Sequence, residues 1–127
     1  MSTLALSEDT FNETVSNNDI VMIDFWAEWC GPCRAFAPVY EQASENHDDI
    51  VFAKVDTEAE PALAQAFNIS SIPTLMAVRD SVVLFSQAGA LPEAEFNRLI
   101  EEIKKVDMDQ VHADIAKQQA ENGQGKA

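Results

Sequence analysis

Residues Ile20–Ala27 read IVMIDFWA and are apolar at odd and even positions alike, apart from Asp24. A strand apolar on both faces is covered on both faces, so this run predicts a central strand with helices above and below it. The rest of the chain alternates around it. TLALS (Thr3–Ser7) predicts a short edge strand, and Ser7 then caps a helix in which Phe11 and Val15 share one face. From Cys30 the composition turns helical in CRAFAPVYEQASENH, with Pro38 inside it to kink it. DIVFAKVD (Asp49–Asp56), rich in Val, Ile and Phe, predicts the next strand. TEAEPALAQAFNI follows as a helix, with Thr57 as N-cap, Pro61 in the first turn and Asn68 as a left-handed residue at its end. TLMAVR and VVLFSQAG are strands separated only by Asp80 and Ser81, a hairpin spacing that makes this part of the sheet antiparallel. LPEAEFNRLIEEIKKV closes the pattern, with Pro92 near a helix start and Phe96, Leu99, Ile100 and Ile103 at helical spacing. The order β-α-β-α-β-α-β-β-α predicts an α/β fold, a mixed central β-sheet flanked by helices on both faces.

At 127 residues and 46% hydrophobic, the chain has the size and apolar content of one domain with a true core. The pattern assigns residues 1–106 to that domain and residues 107–127 to a C-terminal extension. In the extension Met108, Val111 and Ile115 make a narrow apolar stripe, and the residues after Ala120 are polar and predict disorder. The stripe reads as a frayed terminal helix or as a docking helix for a partner or a second copy.

Charge excludes some partners. With 22 acidic and 8 basic residues, a formal net charge of -14, the chain is a poor binder of nucleic acid and of anionic membrane surfaces. It suits partners with basic docking surfaces. MSTLALSEDT lacks the basic start, apolar stretch and cleavage site of a secretory signal, so the expected location is cytoplasmic.

Cys30 and Cys33 are the two cysteines. Two are too few for a disulfide-stapled scaffold and half of a tetrahedral zinc set, and His47 and His112 are not near them in sequence, so no metal site is expected. WCGPC (Trp29–Cys33) falls where the covered strand ends and a helix begins. There the first turn's unpaired amides face the Cys30 sulfur and favour its thiolate, the nucleophilic form. Gly31 is read as permitting a tight turn, and Pro32 suits a first helical turn, where its missing N–H costs nothing. Two intervening residues bring Cys33 within disulfide reach of Cys30. The bland alternative is a pair of ordinary buried cysteines; a C-x-x-C at a strand-to-helix junction points instead to redox chemistry.

The chain resembles the thioredoxin family, whose C-x-x-C motif and reduction potential serve as worked examples in general treatments of thiol chemistry. The resemblance spans roughly residues 4–106. It is carried by DFWAEWCGPC (Asp24–Cys33), Pro38, AKVD (Ala53–Asp56), IPTL (Ile72–Leu75) and GA (Gly89–Ala90). It implies the thioredoxin fold and the activity of a thiol–disulfide oxidoreductase, a general protein disulfide reductant. Cys30 is then the nucleophile that forms a mixed disulfide with substrate, and Cys33 resolves it, leaving Cys30–Cys33 oxidised. Asp24 accepts the Cys33 proton through water, and Lys54 modulates the charge of Asp24. On the residues alone, Lys54 reads equally as a strand lysine reaching solvent. Trp29, Gly31, Pro32, Ile72, Pro73, Gly89 and Ala90 line an apolar substrate groove. Only about 5–6% of X-Pro bonds are cis, so it is the resemblance that implies a cis Ile72–Pro73 bond.

The same resemblance implies no bound cofactor, with electrons supplied from NADPH through a thioredoxin reductase. It implies disulfide-containing protein substrates, with ribonucleotide reductase, peroxiredoxin and methionine sulfoxide reductase as family-level candidates, and a monomer. Gly-Pro between the cysteines resembles the reducing members. Ser70 and Ser71 depart from the commonest family pattern beside the groove, as does the hairpin turn without glycine. An alternative from a different class is a groove-binding subunit or holdase-type co-chaperone with incidental redox activity.

Overall fold

A computed structural model describes residues 3–125 of the chain, with side chains through Glu121. The ends of the sequence-assigned domain (residues 1 and 2) and of the extension (126 and 127) lie outside the described residues. The elements are β1 (Thr3–Ala5), α1 (Glu8–Asn17), β2 (Ile20–Trp26), α2 (Gly31–Asn46), β3 (Val51–Asp56), α3 (Pro61–Ala66), β4 (Thr74–Arg79), β5 (Val82–Ala88), α4 (Glu93–Lys105) and α5 (Met108–Gly125).

The five strands form one mixed sheet in the order β1-β3-β2-β4-β5. β3 runs parallel to β1 and β2, while β4 is antiparallel to β2 and β5 to β4. β2 is central, and residues Ile20–Phe25 are buried without a break. Ile20, Met22, Phe52, Leu75 and Ala77 pack on one face against Phe36, Tyr40 and Ala43 of α2 and Phe96, Ile100 and Ile103 of α4. Val21, Ile23, Phe25, Ala53, Val55, Met76 and Val78 pack on the other against Phe11 of α1 and Leu63 of α3. The doubly apolar run thus becomes the strand covered on both faces, as its composition requires.

Local geometry follows the sequence at several ends and departs from it at others. Ser7 is the N-cap of α1, and its N–H donates to Thr10 Oγ1 at 3.0 Å. Asp80 and Ser81 both have positive φ, 52° and 64°, the signature of a two-residue type I′ turn, so the hairpin forms without glycine. Asn68 is left-handed at φ 56°. The bonds Asn68 N–H to Gln65 O (3.1 Å) and Ile69 N–H to Ala64 O (2.9 Å) close α3 in a Schellman pattern.

Thr57, read as the α3 N-cap, is not one. Its N–H and hydroxyl both donate to Trp26 O, at 2.9 and 3.1 Å. Asp56 Oδ1 takes the N–H groups of Glu58 and Ala59, so side-chain bonding holds this stretch as a turn. The helix starts only after Glu60, at Pro61, which has no N–H to leave unpaired. β3 likewise begins at Val51, because a turn closed by Ile50 N–H to His47 O occupies the residues before it.

α5 extends to Gly125, past Ala120, where the composition predicts order to end. Its start is held against the domain: Met108 is buried, and His112 Nε2 lies 3.3 Å from Asp80 Oδ2. Arg79, the last residue of β4, donates from Nη1 to the carbonyl oxygens of Ile103, Lys104 and Val106 at 2.9, 3.1 and 3.0 Å. A cation thus supplements the single Val106 N–H bond at Ile103 O (3.4 Å) and serves the carbonyls of Lys104 and Val106 at the end of α4. Among the described residues no helix is long and apolar enough to cross a membrane.

Candidate active site

β2 ends at Trp26, and the chain re-enters a helix at Gly31. Cys30 sits at that junction as the N-cap of α2, and Pro32 occupies the first turn. Cys30 and Cys33 are joined in a disulfide with Cα atoms 5.3 Å apart. Both are buried, at 4% and 3% exposure, while the turn residues Trp29, Gly31 and Pro32 around them are exposed. The Cys33 N–H donates to Cys30 Sγ at 3.2 Å. A first-turn amide aimed at the sulfur favours a negatively charged sulfur when the pair is reduced.

The opposite wall comes from the loop before β4. The Ile72–Pro73 peptide is cis, and the Ile72 carbonyl oxygen lies 3.7 Å from Cys30 Sγ. Thr74 ties the loop by donating to Ser71 O at 2.6 Å. Gly89 N–H donates to Pro73 O at 2.8 Å, with Gly89 at φ 106°, a conformation that side chains disfavour. Gly89 and the exposed Ala90 therefore stand beside Pro73. Trp29 is 68% exposed, and its Nε1–H donates to Glu58 Oε1 at 3.0 Å. Between Trp29 and the loop, a depression of about 380 Å³ is lined by Thr57, Ala64, Ile69, Ser70, Ser71 and Ile72.

Gly31 departs from its sequence reading. Its φ is not positive, and a Cβ built there meets nothing within 4 Å. No tight turn demands glycine at this position; Cys30 makes the transition in an extended conformation.

Asp24 lies at 1% exposure in β2, and neither carboxylate oxygen has a hydrogen-bond partner. Burial pushes its pKa from 3.8 up to about 7, and Lys54 opposes the shift. Lys54 is its Cα partner across the β2–β3 ladder. The Lys54 Nζ lies over the Trp26 ring, 4.6 Å from its centroid. Beneath α2, the buried Tyr40 hydroxyl donates to Ala53 O at 2.7 Å. The residues singled out in the sequence thus meet in two groups: the cysteine pair with the Ile72–Pro73 loop, and Asp24 with Lys54 in the sheet below.

Sequence reasoning missed Glu58 and Tyr40. Glu58 is one of many acids, and only the Asp56 turn brings it to Trp29. Tyr40 looks like a core aromatic, and its hydroxyl contact depends on how α2 lies across β3.

A redox-capable cysteine pair at a helix N-terminus, beside a cis-proline loop on a mixed sheet, defines a thiol–disulfide redox protein. Residues 2–105 match the thioredoxin family model. A curated relative, putative thioredoxin 2 of Streptomyces coelicolor, is 58% identical over 122 residues, which cover 96% of this chain and 91% of the relative. Thioredoxin C-3 of Corynebacterium nephridii is 42% identical, covering 78% of this chain and 69% of the relative. Among solved structures, a mutant thioredoxin from Halobacterium salinarum superposes with a TM-score of 0.77 at 32% identity, covering 83% of this chain and 93% of that one. The chain belongs to the thioredoxin family, and it is a thiol–disulfide oxidoreductase acting on disulfide-containing partners.

Proposed function

We propose that the protein is a general reductant of protein disulfides, with Cys30 as nucleophile, Cys33 as resolving thiol and Asp24 as the proton acceptor for Cys33. The observation that carries this reading is the cysteine pair at the mouth of α2, against the Ile72 carbonyl, in a domain whose central strand holds a buried and unpartnered Asp24. In the reduced protein the Cys30 thiolate attacks one sulfur of a substrate disulfide. That bond breaks, the other substrate sulfur leaves as thiolate, and a mixed disulfide forms. Cys33, deprotonated toward Asp24 through water, attacks Cys30 Sγ and expels the second substrate sulfur. Two electrons have passed to the substrate, and the Cys30–Cys33 disulfide remains.

The groove for the extended substrate segment runs between Trp29, Gly31 and Pro32 on one side and Ile72, Pro73, Gly89 and Ala90 on the other. Lys54 opposes the proton affinity that burial confers on Asp24. Re-reduction falls to an NADPH-dependent thioredoxin reductase in the cytoplasm, with no cofactor held by the chain itself. Ribonucleotide reductase, peroxiredoxins and methionine sulfoxide reductases are the target classes to try first. The groove-binding holdase is not favoured, because binding alone has no use for a pair poised to form a disulfide. The test is insulin reduction with NADPH and a purified thioredoxin reductase. Steady NADPH consumption that is lost in Cys30→Ser supports the reading; no consumption, with reductase and protein both active, overturns the general-reductant reading.

A further inference from the structure

Lys54 is surrounded by carboxylates that it does not pair with. A cavity of about 530 Å³ beside β1 is lined by Lys54 and Trp26 together with Glu41 of α2, Asp56 of β3 and Glu60 before α3. Any of the three offers an ammonium a more solvated partner than Asp24 does. Yet among the described residues Lys54 makes no ion pair, and its Nζ rests on the Trp26 ring instead. Trp26 lies two residues beyond Asp24 in β2, so both side chains stand on one face of the strand, and Lys54 is opposite Asp24 in the register.

We infer that Trp26 is a positioning residue: its ring face holds the Lys54 ammonium beside the sheet and away from Glu41, Asp56 and Glu60, and thereby sets the proton affinity of Asp24. Attraction of a cation to an indole face is comparable in strength to an exposed ion pair, so the ring competes with the carboxylates on equal terms. The charged and titratable groups around Asp24 and Lys54 are Tyr40 and Glu41 from α2, Asp56 from β3 and Glu60; the two cysteines are joined in a disulfide and do not titrate in the oxidised protein. Of these, Tyr40 stays protonated, since burial raises its pKa well above 10. Lys54 is the cation among them, so its displacement raises the proton affinity of Asp24.

The inference rests on the functional reading only in its consequence for catalysis, and the test separates the two. The Asp24 carboxyl is titrated by carbon NMR in the oxidised protein. Trp26→Leu, which keeps an apolar side chain but has no ring, is expected to raise the midpoint by about half a unit, roughly a threefold gain in proton affinity. Trp26→Phe, which keeps a ring face, moves it less. In a Lys54→Met background Trp26→Leu leaves it unmoved. An unmoved midpoint in folded Trp26→Leu overturns the inference, as does an equal shift without Lys54.

The unaltered protein supplies a check that needs no variant. Ring current from Trp26 shifts the Lys54 ε-methylene protons upfield, and ordinary shifts there overturn the inference. If the carboxyl midpoint moves but the pH profile of substrate reduction does not follow, the positioning role stands and the assignment of Asp24 as proton acceptor falls.

Discussion

Lys54 stands opposite Asp24 in the β2–β3 register, yet the two do not form an ion pair. Asp24 is left buried with both oxygens unpartnered, while the ammonium rests 4.6 Å from the centre of the Trp26 ring. A core position has been given to a group that the core does not stabilise, beneath the helix that carries Cys33.

The first prediction concerns stability and pH. Asp24 has a folded pKa of about 7 against an ordinary 3.8. Between those values the folded state holds a proton that the unfolded state has released, so stability falls as pH rises. The cost is absent below about pH 4, grows toward pH 7 and is constant above it, at about 4 kcal/mol in all. Asp24→Asn should therefore be more stable than the wild type at about pH 8 and nearly equal to it at about pH 4. Urea unfolding at both pH values measures this; an advantage of the same size at both would contradict it.

The same substitution should slow catalysis. Without a carboxylate to take the Cys33 proton, resolution of the mixed disulfide should fall about ten- to a hundredfold near neutral pH, at or below the usual worth of a positioned base. Stopped-flow measurement of substrate release is the appropriate assay. Wild-type rates would mean that the proton leaves by another route.

Cys33→Ser should trap the first half of the reaction. With the resolving thiol gone, the bond from Cys30 to substrate persists, and intact-mass analysis after mixing with a disulfide protein should show the covalent adduct. Cys30→Ser should show none. An adduct through Cys33 in that variant would reverse the assigned roles, and the burial of the two residues, 4% against 3% exposed, does not by itself separate them.

The two site glycines should behave oppositely. Gly89 is held at φ 106° with its N–H on Pro73 O, so Gly89→Ala should cost about 1–3 kcal/mol of backbone strain. Gly31 is exposed, has no positive φ and has open space around it, so Gly31→Ala should be neutral or slightly stabilising. Thermal unfolding of the pair side by side checks the contrast.

At the far end of the sheet, Arg79→Met should leave the carbonyls of Ile103, Lys104 and Val106 without their donor. The expected loss is about 2–3 kcal/mol, because the Lys104 and Val106 oxygens lose a charged donor and Ile103 O keeps only the Val106 N–H at 3.4 Å. Reductase activity below the melting transition should be unchanged, since Arg79 lies at the opposite end of β4 from the loop that contacts Cys30. A parallel loss of activity would show that the α4–α5 corner communicates with the cysteine pair.

Much of this architecture was legible along the chain because it depends on short-range rules. An apolar run without alternation requires cover on both faces, and β2 has it. A helix N-terminus meets Cys30 because Pro32 and the following helical composition start α2 there. A two-residue D-S spacing between two strands predicts a hairpin, and β4 and β5 pair antiparallel across Asp80 and Ser81. What stayed hidden depends on partners distant in sequence. Thr57 carries every local mark of an N-cap, but the Trp26 carbonyl takes its hydroxyl. Gly31 reads as a turn glycine, yet Cys30 makes the transition in extended conformation. Glu58 meets Trp29 only through the Asp56 turn, and Arg79 meets the α4 carbonyls only after β4 and α4 have packed.

Asp24 divides the same way. Ile20 and Met22, which share its face of β2, pointed to its burial, because strand periodicity carries its side chain onto the same covered face whatever its charge. Whether burial would be relieved by an ion pair was decided in three dimensions. The ladder set Lys54 opposite it, and the Trp26 ring, two residues further along, then took the ammonium. A contact between side chains from two strands obeys geometry that no single stretch of sequence contains.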